Sequence, residues 1–124
     1  GKEAVAVIDS GYSPEMAEAM LRHIRARTAL PVRYVVNTNS QPHRFLGNDV
    51  FRRAGAHILA GREAAERMGR DGAMMAGAAA GILGIAEWPV PAAPDRLLGA
   101  GESVDLDLGG GIVLRLRHAG TAHT

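Results

Sequence analysis

The sequence contains no cysteine at any of its 124 positions. This absence excludes a disulfide, a thiolate nucleophile and a cysteine-bound zinc, so a metal ion could be held only by histidine and carboxylate ligands. It also removes the residue whose usage distinguishes an oxidising from a reducing compartment. Localisation is therefore left open.

An excess of charge of one sign is missing as well. The 14 basic and 13 acidic side chains are spread along the chain and give a net charge of +1, so no basic stripe indicates nucleic acid. No apolar run is long enough to span a bilayer, and the opening residues, GKEAVAVIDSG, show no signal-peptide pattern. We therefore expect neither a nucleic-acid partner nor a membrane association.

Strand and helix patterns alternate in the first half of the chain. Ser13 and Pro14 predict the start of a helix that ends near Thr28, because the Ser13 side chain can accept from a free N–H and Pro14 suits the first turn. A second, short helix is predicted at NDVFRRAG. Three apolar runs predict buried strands: EAVAVID (3–9), VRYVVN (32–37) and AHILA (56–60). This βαβαβ order in a chain of one-domain length predicts an α/β fold.

The second half changes its pattern. Residues 62–85 predict two helical pieces with a weak middle at GRDG, since glycine disfavours helix. Trp88 is predicted to anchor the proline-rich segment that follows. The alternating stretches SVDLDL and IVLRLRH, joined by three glycines, predict an antiparallel hairpin with one solvated face.

The stretch VVNTNSQPHRFLGN (35–48) combines the end of a buried strand with a polar turn that leads into a helix. Such turns at the carboxyl ends of strands are where α/β enzymes commonly hold their catalytic groups. It is the first candidate for a functional site.

Four separated segments carry a resemblance to a known family: VIDSGYSPEMAEAM, PVRYVVNTNSQPHRFLGN, FRRAGAHILAG and LRLRHAGTAHT. In order and spacing they resemble the metallo-β-lactamase superfamily, and most of all the bacterial zinc metallohydrolases associated with quinoproteins. The resemblance implies an αββα fold, of which residues 1–124 would form a partial domain. We expect a half-sandwich, that is, a mixed sheet with helices on one face. The protein is expected in either the periplasm or the cytoplasm.

The resemblance also implies which positions would hold metal. The loop after the second long strand usually reads THxHxDH in that family, and its histidines and aspartate bind two metal ions. Laid on this sequence, its two first-zinc histidines fall on Asn39 and Gln41, its aspartate on His43 and its last histidine on Arg44. The histidine of a later loop is retained as His123. Four ligand positions are therefore substituted.

These substitutions predict the loss of the di-zinc site. Neutral amides such as those of Asn39 and Gln41 are poor zinc ligands beside imidazole, and Arg44 brings a permanent cation to the position of the second metal. His43 and His123 are the remaining metal candidates, but two protein ligands fall short of the three that catalytic zinc keeps. We expect no tightly bound cofactor, with zinc held only at low affinity.

Other candidate residues have plainer interpretations. Asp9 resembles the family's strand-end aspartate, which supports the metal loop by hydrogen bonding, although aspartate at a strand end is also a common turn former. His43 and His123 can equally be titrating surface groups. His118 is expected to face solvent at the end of its strand.

Half of a two-sheet sandwich leaves a sheet face or edge uncovered. We therefore expect a homo-oligomer or pairing with a missing second half, with Val5, Val7, Val35, Ile112 and Leu114 near the shared surface. Three functions remain open. They are a metallo-β-lactamase-fold protein that is inactive or weakly active as a hydrolase, a residual single-metal hydrolase using His43 and His123 with a partner chain, and a structural or assembly module.

Overall fold

The structure is a computed structural model that describes residues 1–85, 88 and 90–121. Its strands and helices follow one another in the order predicted from the sequence for the first half of the chain. The strands are β1 (Val5–Ile8), β2 (Val32–Asn37), β3 (His57–Gly61), β4 (Arg96–Leu98), β5 (Ser103–Asp107) and β6 (Val113–Arg117). The helices are α1 (Pro14–Arg25), α2 (Pro42–Phe45), α3 (Asn48–Arg53) and α4 (Arg62–Leu83).

Four strands form a parallel sheet in the order β1-β2-β3-β4. Val7 pairs with Val35, and Val35 with Ile58, so the buried positions of the first three strands lie side by side. Strands β5 and β6 form a separate antiparallel hairpin, with Asp105 opposite Arg115. The α/β fold class is confirmed, and in the described part of the chain the parallel and antiparallel strands lie in separate sheets.

Helices α1 and α3 cover one face of the parallel sheet. Helix α1 begins as the sequence predicts, since the Ser13 hydroxyl accepts from the Met16 amide at 3.0 Å. Leu21 and Phe51 pack with the sheet residues of this core, among them Val7 and Val35. Val7 and Val35 are 6% and 0% exposed, which corrects the expectation that they lie near a shared surface: two helices already cover them.

The hairpin covers the opposite face. Leu106 packs against Leu59 and Leu98 of the parallel sheet, and the half-buried Leu114 and Leu116 lie against the same cluster. The inward positions of the hairpin are leucines or valine and the outward ones are charged or exposed, which is the alternation that its sequence predicts. The described chain therefore has a layer on each face of its main sheet.

Helix α4 runs without interruption from Arg62 to Leu83, so the prediction of two helical pieces is wrong. Buried Met68, Gly72 and Ala76 lie along one side of it, and a Cβ at Gly72 would sit 3.6 Å from the Phe45 ring. This packing outweighs the low helix propensity of the glycines. None of the helices in the described ranges is long and apolar enough to cross a membrane.

Trp88 packs against the cluster formed by α2 and α4, as predicted for an anchor of the segment after α4. Within the same region, the Asn48 side chain donates to the Ala92 carbonyl at 3.1 Å and the Arg52 guanidinium to the Ala93 carbonyl at 2.7 Å. These contacts fasten the segment to α3 before it enters β4.

Candidate functional site

The candidate site lies where β1 and β2 end, at the same edge of the parallel sheet. The loop from Thr38 to Gly47, which contains α2, returns over the end of β1. Gly47 allows the close approach, since a Cβ there would lie 2.6 Å from the Ala17 Cβ. The chain thus brings Arg44, one of the substituted ligand positions, next to Asp9.

The side chain of Asp9 binds the start of this loop. Its Oδ1 accepts from the Thr38 amide at 2.8 Å, and the Thr38 hydroxyl lies 3.0 and 2.9 Å from Oδ1 and Oδ2. The backbone of Asp9 has a φ of 64°, a left-handed conformation that aspartate tolerates better than most residues. Aspartate therefore suits the backbone conformation at position 9, and its carboxylate binds the loop at Thr38.

Arg44 lies directly on the same carboxylate. Its Nη1 is 2.9 Å from Asp9 Oδ2, and the two side chains are 40% and 13% exposed. The backbone carbonyl of Arg44 accepts from the Ser10 amide and from the Asn37 side-chain amide, each at 2.9 Å. Arg44 is thus attached to the strand ends through both its main chain and its side chain.

A buried cluster of three polar side chains, Ser10, Asn37 and Asn48, supports these contacts. The Asn48 Oδ1 accepts from the Ser10 hydroxyl at 2.8 Å and from the Asn37 amide at 2.9 Å, while the Asn48 amide donates to Asn37 Oδ1 at 2.8 Å. All three side chains are at most 2% exposed. Buried amides bonded in this way specify one arrangement of the backbone around them.

This cluster of Ser10, Asn37 and Asn48 was not predicted from the sequence. The signal was present: Ser10 and Asn37 each follow or end a buried strand, and polar residues at adjacent strand ends meet in space. The partnership with Asn48 could not be read from spacing alone.

The remaining ligand positions on this loop are Asn39, Gln41 and His43. The Asn39 Oδ1 accepts from the Gln41 amide at 2.9 Å and so closes a local turn. His43 is exposed on α2 and Gln41 is half-buried. His123 lies outside the described residues.

The donor set within the described residues does not fit the di-zinc centre implied by the resemblance. Among residues 1–85, 88 and 90–121, no group of three or more His, Cys, Asp or Glu side chains is arranged to hold a metal ion. The Asn39 oxygen is used in the local turn, and the Asp9 carboxylate faces a guanidinium at 2.9 Å. A second cation beside Asp9 would be repelled by Arg44.

A cleft of about 360 Å³ adjoins the start of this loop and is lined by the ends of β2 and β3, the start of α4 and the segment after β6. Its lining combines the aliphatic side chains of Val36, Leu59 and Leu116 with polar groups from Asn39 and Glu63. This combination of apolar surface with a few polar groups is typical of small-molecule sites.

His118 contributes to the cleft and is half-buried, which differs from the expectation that it faces solvent. The Gly120 amide donates to its Nδ1 at 3.0 Å, so the proton of a neutral ring sits on Nε2. The ring lies against Gly61, where a Cβ would come within 2.8 Å of Nε2. The glycine at the β3–α4 junction therefore makes room for this histidine.

Comparison with known proteins places these features in a family context. The family model for the metallo-beta-lactamase superfamily matches residues 1–124. No curated protein sequence matches the chain.

Two solved structures share the fold. A metallo-beta-lactamase from Pontibacter korlensis has a TM-score of 0.65 at 19% identity, with 88% of this chain and 41% of that protein covered. A metallo-beta-lactamase from Hirschia baltica has a TM-score of 0.59 at 11% identity, with 86% of this chain and 41% of that protein covered. The chain spans less than half the length of either protein.

Proposed function

The chain belongs to the metallo-beta-lactamase superfamily, and we propose that it is a member whose altered ligand loop leaves it inactive or weakly active as a hydrolase. Hydrolysis by metal-dependent members of such a fold depends on a metal-bound water whose pKa is lowered by the ion. A loop that cannot hold the ion cannot generate that nucleophile.

The observation that carries the proposal is the 2.9 Å ion pair between Arg44 and Asp9. Arginine brings a permanent positive charge to this position, which opposes the binding of a metal ion beside Asp9. The amide at Asn39 adds a weak oxygen donor that is already engaged with the Gln41 amide. Both features lower the affinity for zinc together.

Metal content after dialysis tests the proposal. We expect zinc binding no tighter than about micromolar, because two amides and one guanidinium stand at ligand positions. Elemental analysis of the dialysed protein and a competitive chelator titration would measure this. One tightly held zinc per chain would contradict the proposal.

The variants His43→Ala and His123→Ala separate the proposal from a single-metal hydrolase built on those two residues. We expect both to leave the weak zinc affinity and any residual ester or lactam hydrolysis unchanged. Loss of zinc binding and of hydrolysis in both variants, but not in a His23→Ala control on the exposed side of α1, would establish the single-metal alternative instead.

We also propose that the chain pairs with a second copy or with a second half-domain. The support is the short coverage of its structural neighbours, 41% of each, and the exposure of large aliphatic side chains. Ile8, Ile112 and Val113 are 49%, 52% and 52% exposed. Burial of such side chains against a partner is favourable because it removes apolar surface from water.

A further inference from the structure

We infer that Arg44 is a built-in cation that replaces a metal ion as the element that holds the 38–44 loop closed on Asp9. The inference rests on the proposed loss of metal chemistry, and it adds a positive role for one of the substituted positions. A loop organised in this way is formed without any added ion.

The acceptor capacity of the Asp9 carboxylate is largely taken up within the protein. Both carboxylate oxygens are engaged, by the Thr38 amide, the Thr38 hydroxyl and the Arg44 guanidinium. The carboxylate is only 13% exposed, so few of its lone pairs remain for solvent or for an ion. An uncompensated carboxylate in this position would be costly, and Arg44 supplies the opposite charge.

The main chain of Arg44 is attached to the strand ends. Its carbonyl accepts from the Ser10 amide and the Asn37 side chain, and Ser10 and Asn37 are themselves bonded to buried Asn48. The guanidinium therefore extends from a fixed backbone toward Asp9. A residue anchored at both ends ties the loop to β1 as a bridging ion would.

The contact between Arg44 and Asp9 uses a single nitrogen of the guanidinium. Arg44 reaches Asp9 through Nη1, while its Nε is buried and has no partner among the described residues. A contact through one nitrogen needs a positive charge more than it needs the fork geometry of arginine. Lysine should therefore substitute in part, whereas a neutral side chain of similar length should not.

Amide hydrogen exchange tests the inference in the full chain. The reporters are the amide of Thr38, which donates to Asp9, and the amide of Ser10, which donates to the Arg44 carbonyl. We expect Arg44→Met to lower protection at both amides by about tenfold, and Arg44→Lys to retain most of it. Unchanged protection in Arg44→Met would overturn the inference.

Arg53→Met is the matched control. Arg53 pairs with Asp49 at the same distance of 2.9 Å, but it is exposed on α3 and does not reach the loop. This variant should leave the exchange of Thr38 and Ser10 unchanged. An equal loss of protection in Arg53→Met would overturn the inference, since the effect would then reflect general loss of an ion pair.

If Arg44→Met does not fold, Asp9→Asn takes its place. The amide keeps the acceptor for Thr38 and removes the charge that holds Arg44, so the Ser10 amide should lose protection by a similar factor of about ten. Retained protection in Asp9→Asn would count against the inference.

The addition of zinc distinguishes the role inferred for Arg44 from the proposed loss of hydrolase activity. In the unmodified protein, neither excess zinc nor a chelator should change protection of residues 38–44. A rise in protection with zinc would overturn the role of Arg44. Tight zinc binding in a separate titration would contradict the proposed function, whereas failure of Arg44→Met alone would leave the proposed function intact.

Discussion

At the scale of single residues, Asp9 receives contacts from two parts of the loop that follows β2. Thr38 binds it through the main chain and the hydroxyl, and Arg44 binds it through the guanidinium. The residue at position 44 is therefore coupled to Asp9. A histidine at the position of Arg44 alone would remove the counter-charge of Asp9 before any metal ligand was complete.

A residue-scale prediction follows from the altered ligand positions. Restoring Asn39→His, Gln41→His, His43→Asp and Arg44→His together should raise zinc affinity by about 100-fold or more, if the loop backbone still follows the family geometry. Competitive titration against a zinc-sensitive chelator would measure the gain.

The control keeps Arg44 and restores only the first three positions. We expect it to gain less affinity, because the guanidinium remains beside Asp9. No gain in the fourfold variant would mean that the loop has been rebuilt and that its positions do not correspond to the family ligands.

At the scale of elements, α4 shows how packing overrides propensity. Its glycines fall into two kinds. Gly72 is buried against Phe45, whereas a Cβ added at Gly69, Gly77 or Gly81 would meet nothing within 4 Å. The latter three weaken the helix without a packing reason.

We therefore predict that Gly77→Ala stabilises the protein by about 0.5–1 kcal/mol, because alanine loses less backbone entropy in a helix. Gly55→Ala is the contrasting control: its surroundings are equally open, but its φ is +94°, and we expect a loss of about 1 kcal/mol. Urea unfolding of both variants would measure the two changes. Destabilisation by Gly77→Ala would mean that α4 is not one continuous helix at this position.

The hairpin supplies a pH-dependent prediction. Arg115 binds Asp105 across the two strands at 2.7 and 2.8 Å, and this hydrogen-bonded pairing holds the pKa of Asp105 below its ordinary value. Because the folded-state pKa is lowered, the pair stabilises the hairpin above the unfolded-state pKa of Asp105. That contribution is lost as the pH falls through the folded-state pKa.

Arg115→Met should accordingly move the titration midpoint of Asp105 upward, as followed by NMR of its carboxyl carbon. It should also remove the part of the hairpin's acid sensitivity that depends on the pair. Arg117→Met on the same strand is the control and should leave the midpoint in place. Equal midpoints in the original and the Arg115→Met proteins would show that the pair does not form in solution.

At the scale of the whole molecule, both faces of the parallel sheet carry a layer, α1 and α3 on one side and the β5–β6 hairpin on the other. The large apolar side chains that remain exposed do not include Val7 or Val35. Among the described residues they are Ile8, Met16, Met74, Ile82, Leu83, Val90, Ile112 and Val113. We propose that the shared surface is the part of this set at Ile8 and at the turn of the hairpin, Ile112 and Val113.

We predict that the chain at micromolar concentration does not sediment as a single 13.0 kDa species. Ile112→Asp should weaken the association, because it places a charge on the proposed contact. Ile82→Asp, at a residue 77% exposed on α4, is the control and should have no effect. A clean, cooperatively folding monomer in sedimentation and urea unfolding would contradict the prediction of assembly.

Short-range patterns were sufficient for much of the fold. The strand runs, the Ser13–Pro14 helix start and the glycine turn of the hairpin each depend on neighbours close in sequence, where the choice of residue alone favours one backbone conformation. The same patterns, with the family resemblance, identified the loop at 35–48 and the residues that stand at its ligand positions.

Tertiary structure alone decided what those residues contact. Arg44 and Asp9 are 35 positions apart, and Asn48 and Ser10 are 38 apart. Such pairs form only when the strands have taken their order in the sheet, since no local preference joins them. The continuity of α4 and the burial of Val7 and Val35 were decided in the same way, by surfaces that distant elements supply.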